Sequence, residues 1–303
     1  MDYICLTYFL SKFLKTKKAA LLCLPPFYKN KRVLKIKLQS YDLTYPKNTL
    51  KRIVKKITLI VNEKVEGLIL KTILKQFDLI IAVSTAIIEE MGDEWKKRIH
   101  VLNPNTSYEH MKVNIKTKKK HSADYKYDAI FYARLIPEKG IFDIPLIWKK
   151  VVEKGLKAKL AIVGEFSKKE VKETFFKLIN KLSLNKYIEY LGWQPHEKIK
   201  NLLEKSKIVI YPSYLDSISM VIIESLAHNK IVIAYDIPAV KHNYPIKEVV
   251  KVKTGDYNEM AEKIIDILLN EKYKTTISRK FLEKFKSWDK VVENEVKILQ
   301  KVL

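Results

Sequence analysis

Lys207-Ile-Val-Ile-Tyr-Pro-Ser-Tyr-Leu-Asp-Ser-Ile-Ser-Met-Val-Ile-Ile-Glu-Ser-Leu-Ala-His-Asn229 is the stretch on which the reading of the whole chain turns. Its opening, Lys207 to Tyr211, is a short continuous apolar run with β-branched residues, the pattern of a strand buried on both faces in a parallel sheet. Pro212 stops it. From Ser219 to Ala227 a second apolar run continues for longer than a strand needs. It ends at Asn229, a residue that tolerates the left-handed conformation closing many helices. The segment reads as strand, tight loop, helix. In an open α/β sheet, ligands sit beyond the carboxyl ends of the strands, and a helix starting there aims its free N–H groups at them. An anion suits that place.

Two carboxylates make the stretch unusual. Asp216 lies in the loop, and Glu224 interrupts the apolar run. A carboxylate in such a run must emerge at an edge or find partners, because burying it unpaired costs several kcal/mol. Taken singly, Glu224 also reads as a charge on a solvent-facing stripe and Asp216 as a helix cap. A second cluster, Ala133-Arg-Leu-Ile-Pro-Glu-Lys-Gly140, directly follows a predicted strand at 128–132. Arg134 and Lys139 can converge across that turn on one diphosphate, Arg134 as a planar fork and Lys139 as a compact charge. By itself such a loop also reads as surface decoration.

Working outward, the carboxyl-terminal half alternates regularly. Strands are expected at 128–132, 159–164, 188–191, 207–211 and 231–234, with helices at 141–154, 168–182, 197–205, 219–227, 258–269 and 280–303. That alternation predicts a doubly wound parallel sheet. Residues 112–127, lysine-rich and without periodicity, read as a linker. Before it, short strands are expected at 2–9, 19–24, 33–40, 77–84 and 98–102, and apolar positions at helical spacing predict a long amphipathic helix, or two in succession, over 48–76. A helix capped near Ser84 or Thr85 should follow the 77–84 strand. The resulting division is an amino-terminal domain over 1–115, a second domain over 125–275, and carboxyl-terminal helices over 276–303.

The acidic residue, seven others, then Glu, after Pro212-Ser213 and before Ser225-Leu226-Ala227, resembles the signature of glycosyltransferase family 4, the glycosyl transferases group 1 enzymes. Family members usually carry Glu where this chain has Asp216. Further motifs fall in the family's order: Asp78-Leu-Ile-Ile-Ala-Val-Ser84, Arg134 with Lys139, Gly164, Leu191-Gly192 and Tyr235-Asp-Ile-Pro-Ala239. The resemblance covers most of 77–300. It implies the GT-B fold, an α/β architecture of two Rossmann-like domains facing across a cleft, here with a shortened amino-terminal domain. It also implies a retaining glycosyltransferase that moves a sugar from a nucleotide-diphosphate donor to a carbohydrate or lipid-linked acceptor, without metal or cofactor.

By that resemblance, Arg134 and Lys139 grip the donor diphosphate and stabilise the leaving group, and Asp216 contacts the transferred sugar. Glu224 would hold the ribose hydroxyls. Ser219 and Met220 would offer backbone N–H groups to the donor, with Ile218 and Gly164 beside it. The chain contains no Asp-x-Asp, and His100, His110, His121, His196, His228 and His242 show no metal-ligand spacing; each reads as a surface or helix-end histidine. The first 66 residues hold no glycine, so the Gly-rich loop usual in the family's first domain is missing. That absence motivates the alternative of a catalytically inactive, glycosyltransferase-like binding subunit.

Composition narrows the partners. A chain of 303 residues, 47 % hydrophobic and 30 % charged, is long enough for two folded domains and does not fit a disordered polymer. Its net charge of +24 calls for an anionic partner. Nine lysines and arginines between Lys31 and Lys56 face only Asp42, which makes that segment the best candidate for contact with an anionic membrane surface, a well-solvated basic face being the other reading. Nucleic-acid binding would rest on charge alone and is not expected. Cys5 and Cys23 read as reduced core residues, and the apolar start precedes its lysines, the reverse of a secretory signal. The expected location is the cytoplasm, with peripheral attachment at the inner face of the membrane as the variant.

Overall fold

The structure, a computed structural model, describes residues 17–29, 34–35, 37–39, 42, 50–113, 124–274 and 276–301. The expected strand at 2–9 and Cys5 lie outside them. The chain divides into two compact units: residues 1–106 with 216–218 and 288–303, and residues 107–215 with 219–287.

The first unit holds a parallel sheet of β1 (Ala19–Leu22), β2 (Leu79–Ala82) and β3 (Ile99–Val101), in the order β1-β2-β3. The central strand, Leu-Ile-Ile-Ala, is buried along its whole length, as a parallel strand between two layers must be. Around it run α1 (Leu50–Leu74) and α2 (Thr85–Met91). The Ser84 hydroxyl caps α2 by accepting from the Ala86 N–H at 3.1 Å. The core gathers Leu70, Leu74, Phe77, Ile80, Ile87 and Trp95, and receives Ile298 from the last helix, Trp288–Leu299.

Two expectations for this unit are corrected. The segment read as a strand over 33–40 is helical at Leu34, Lys35, Lys37, Leu38 and Gln39. Its alternation of apolar residues and lysines has a strand's period, but Leu, Lys and Gln are strong helix formers, and Lys37 pairs with Glu63 of α1. Cys23, read as a core residue, is exposed with a free thiol. It lies just past the end of β1, whose own residues are only partly covered because the strand sits at a sheet edge.

The second unit carries β4 (Tyr127–Tyr132), α3 (Asp143–Glu153), β5 (Leu160–Val163), α4 (Lys169–Lys181), β6 (Ile188–Tyr190), α5 (His196–Glu204), β7 (Ser206–Tyr211), α6 (Met220–Ala227), β8 (Val232–Tyr235), α7 (Pro238–Asn243), β9 (Val249–Val252) and α8 (Tyr257–Leu269). Its six strands are all parallel, in the order β6-β5-β4-β7-β8-β9. Renumbered within the unit this is 3-2-1-4-5-6, the doubly wound order, whose topological switch point lies between β4 and β7. The loops leaving those two neighbouring strands are the Arg134–Lys139 turn and the Pro212–Ser219 connection. The sheet therefore starts both loops side by side, at the carboxyl ends of paired strands.

Candidate functional site

Steric fit brings the two loops together. The turn after β4 closes at Gly140, with φ +75°, where an added Cβ would lie 2.0 Å from the Pro212 carbonyl oxygen. Only glycine lets the turn approach the end of β7 that closely. The Tyr214 N–H then donates to the Glu138 carbonyl at 2.9 Å. Lys139 reaches across: its Nζ donates to the Tyr211 hydroxyl at 3.2 Å and to the Leu215 carbonyl at 3.0 Å, with the Tyr211 ring 5.7 Å beneath it. Arg134 is exposed, and its guanidinium has no hydrogen-bond or ion-pair partner among the described residues.

The helix after β7 begins under strain. Ser219, its N-cap residue, sits in the left-handed region at φ +61° and ψ +63°, a conformation that costs a non-glycine residue about 1–2 kcal/mol. Its carbonyl accepts from the Tyr244 hydroxyl at 3.0 Å. Its own hydroxyl caps nothing. Ser219 is 1 % exposed, and its Oγ has no hydrogen-bond partner among the described residues. A buried hydroxyl without a partner at an uncapped helix start is a donor awaiting an acceptor.

Glu224, one turn into α6, is 7 % exposed. Its Oε1 accepts a hydrogen bond from His110 Nε2 at 2.8 Å. That bond stabilises the imidazolium, so the His110 pKa stands above the ordinary histidine value against a smaller opposing pull from burial. The His196 ring, at the start of α5, meets the His110 ring edge-on at 5.3 Å. On the sheet side, the Tyr132 hydroxyl at the end of β4 donates to the Val221 carbonyl at 2.9 Å and lies 3.0 Å from Ser225 Oγ. Burial raises the Tyr132 phenol, and the nearby Glu224 carboxylate raises it further. Tyr132 thus pins α6 to the strand that carries Arg134 two residues later.

A third constellation braces the loop from behind. Tyr214 and Tyr235 both donate to Asp143 Oδ2, at 2.5 and 2.6 Å, and their rings meet at 5.2 Å. Burial raises the Asp143 carboxyl, while the two phenol hydrogen bonds pull it back down. Gly164, at φ +139°, directly follows β5 where an added Cβ would lie 1.9 Å from the Ala133 carbonyl oxygen, so its identity is demanded by backbone packing next to Arg134.

Arg134, Lys139, Gly164, Ser219, Met220 and Glu224 belong to the second unit. Asp216 and Ile218 group with the first, where Ile218 packs against the core and Asp216 Oδ1 accepts from the Ser217 N–H at 2.8 Å. Sequence reasoning missed His110: it was read as a surface or helix-end histidine, but it is half-buried and paired to Glu224. No local signal marks it, since it lies 114 residues away in a segment without periodicity. Tyr132 and the Asp143 group were also missed. A tyrosine ending a buried strand at the switch point was the one available sign for Tyr132.

A family model described as glycosyl transferases group 1 matches residues 113–283, more than half of the chain. The chain belongs to that family. An uncharacterised glycosyltransferase of Methanocaldococcus jannaschii is 25 % identical over 235 residues, covering 74 % of this chain and 60 % of its own length. The phosphatidylinositol N-acetylglucosaminyltransferase GPI3 subunit of Saccharomyces cerevisiae strain YJM789 is 23 % identical over 236 residues, 77 % of this chain and 48 % of its own. The chain therefore spans between about half and 60 % of the length of these curated relatives. Among solved structures, HepE of Anabaena in complex with UDP and glucose superposes with a TM-score of 0.68 at 14 % identity, covering 99 % of this chain and 74 % of that one. A glycosyltransferase of Rickettsia africae gives 0.59 at 16 % identity, covering 95 % and 99 %. These likenesses establish the α/β fold of parallel sheets shared with GT-B glycosyltransferases.

Proposed function

We propose that the chain is a retaining glycosyltransferase, moving a sugar from a nucleotide-diphosphate donor to a carbohydrate or lipid-linked acceptor without metal or cofactor. The observation that carries this reading is the position of Lys139, tied to Tyr211 and Leu215 across the switch point, just before the chain enters the Asp216 loop and α6. An ammonium there, an unpaired guanidinium at Arg134 and the orphan Ser219 hydroxyl at a helix start form a receptor for a diphosphate. Arg134 and Lys139 stabilise the charge that grows on the leaving phosphate. The acceptor hydroxyl attacks on the face the phosphate leaves and gives its proton to a phosphate oxygen. Asp216 holds sugar hydroxyls, and Glu224 holds the ribose through the oxygen not bonded to His110. Family membership, and a structural neighbour solved with UDP and glucose, support a sugar nucleotide as donor. The exposed free thiol of Cys23 fits a reducing compartment, and we place the chain in the cytoplasm or at the inner face of the membrane.

Calorimetric titration of sugar nucleotides tests the assignment. Glu224→Ala and Arg134→Ala should each weaken donor binding by about tenfold or more. Affinities untouched by both changes would reject it. A second reading, a binding subunit without catalysis, draws on the His110 contact: if His110 keeps Glu224, the ribose loses its partner. Sugar transfer by the purified chain, detected by mass spectrometry, would dispose of that reading.

A further inference from the structure

Along α1 the usual relation between polarity and exposure is inverted. Leu50, Ile53, Ile57, Val61, Val65 and Leu68 are 50–76 % exposed. Their spacing of three and four residues puts them on one side of the helix, a stripe about 27 Å long at 1.5 Å per residue. The charged side chains of Arg52, Lys56 and Glu63 are far less exposed, at 19, 26 and 24 %. They are held by ion pairs with Asp42 and Lys37. The basic segment expected to meet lipid is thus partly engaged in internal ion pairs, and what faces outward is apolar.

The borders of the stripe say what covers it. Helical spacing places Lys64 within the outward arc, while Glu63 and Glu66, the helix's two acids, lie on the opposite side. Lys64 is exposed and has no partner among the described residues. A second copy of this chain would bring cationic borders against each other. An anionic bilayer complements both features, since alkyl groups enter the acyl boundary while ammonium groups stay among the headgroups. No helix among the described residues is long and apolar enough to cross a membrane, so the geometry is that of a helix lying in the surface plane.

We propose that α1 docks the protein on anionic lipid, its stripe from Leu50 to Leu68 dipping into the headgroup boundary. The inference is independent of sugar transfer. The test is co-sedimentation of the full chain with phosphatidylcholine vesicles, with and without roughly one third phosphatidylglycerol, for the unchanged protein, the double variant Ile57→Asp/Val61→Asp, and Lys64→Glu. Binding should require phosphatidylglycerol and fall about tenfold or more in the double variant, with an unchanged thermal midpoint. Lys64→Glu should weaken it by a smaller factor. Failure of the unchanged protein to bind anionic vesicles, or equal binding by the double variant, overturns the proposal. So does a dimer in light scattering that the double variant dissociates, which would assign the stripe to a second copy.

Discussion

In α6, Ile222, Ile223 and Leu226 are fully buried, and the one carboxylate among them, Glu224, is buried too and paired to His110. In α1, the apolar side chains of Leu50, Ile53, Ile57, Val61, Val65 and Leu68 face out while Arg52, Lys56 and Glu63 are less exposed. Both helices announce an apolar side in their sequences, yet the protein covers one and presents the other. The cause is the size of the neighbouring sheet. α6 belongs to the unit with the six-stranded sheet and is only 8 residues long, and it is buried from Ile222 to Ala227. α1 runs for 25 residues, about 37 Å, beside strands of 3 or 4 residues, about 13 Å each. Only its final turns, at Leu70 and Leu74, reach the core.

The sharpest way to break this contrast is to place the same charge in both helices. Ile223→Asp should cost about 4 kcal/mol or more and leave little folded protein, because an unpaired carboxylate would be buried among apolar groups. Soluble expression and the denaturant midpoint would show it. Next in size is Gly164→Ala, where the new methyl would meet the Ala133 carbonyl oxygen at 1.9 Å in a left-handed backbone. A loss of about 3 kcal/mol in urea unfolding is expected, and a loss under about 0.5 kcal/mol would mean the turn has room.

The pairing of His110 with Glu224 sharpens the comparison further, since it supports α6 through a histidine, whereas the ion pairs of α1 join lysine and arginine to carboxylates. The His110 pKa is raised in the folded state, so its stabilising contribution is fully present below the unfolded value of about 6.5 and is lost as pH rises through the folded value. The thermal midpoint should therefore fall between about pH 6 and about pH 8, and His110→Ala should flatten that fall. An unaltered pH profile in the variant would remove His110 from the account. The smallest effect belongs to Ile57→Asp. With Ile57 57 % exposed, its stability should stay within about 0.5 kcal/mol of the unchanged chain.

How far the molecule could be read without coordinates differs between its halves for a physical reason. Ile208, Val209 and Ile210 announce a strand buried on both faces, and the structure places them at 0 % exposure in β7. The helix expected over 219–227 likewise appears, at Met220–Ala227. Where strands and helices alternate at regular spacing, each period is unambiguous. Between Leu34 and Gln39 it was not: a six-residue alternation fits either state, and the ion pair of Lys37 with Glu63 joins it to a helix 26 residues away. Glu224 stands out in the sequence because a carboxylate interrupts an apolar run, Arg134 and Lys139 because their turn leaves a predicted strand, and Ser219 only through the family resemblance. His110 and Asp143 could not, because each is unremarkable until its partner, 114 or 71 residues distant, is beside it, and Tyr132 offered only its place at the end of a buried strand.

The amino-acid sequence alone determined the parallel α/β character of the second unit and the order of its first five strands, though not β9 (Val249–Val252) or α7, because burial on both faces and helical periodicity are local properties. Only the tertiary structure decided that β4 and β7 are neighbours, which starts the Arg134–Lys139 turn and the loop leading to α6 side by side. It also decided that His110 meets Glu224 and that the apolar side of α1 faces outward. Those outcomes depend on what lies beside each segment in space, and a periodicity carries no information about its neighbour.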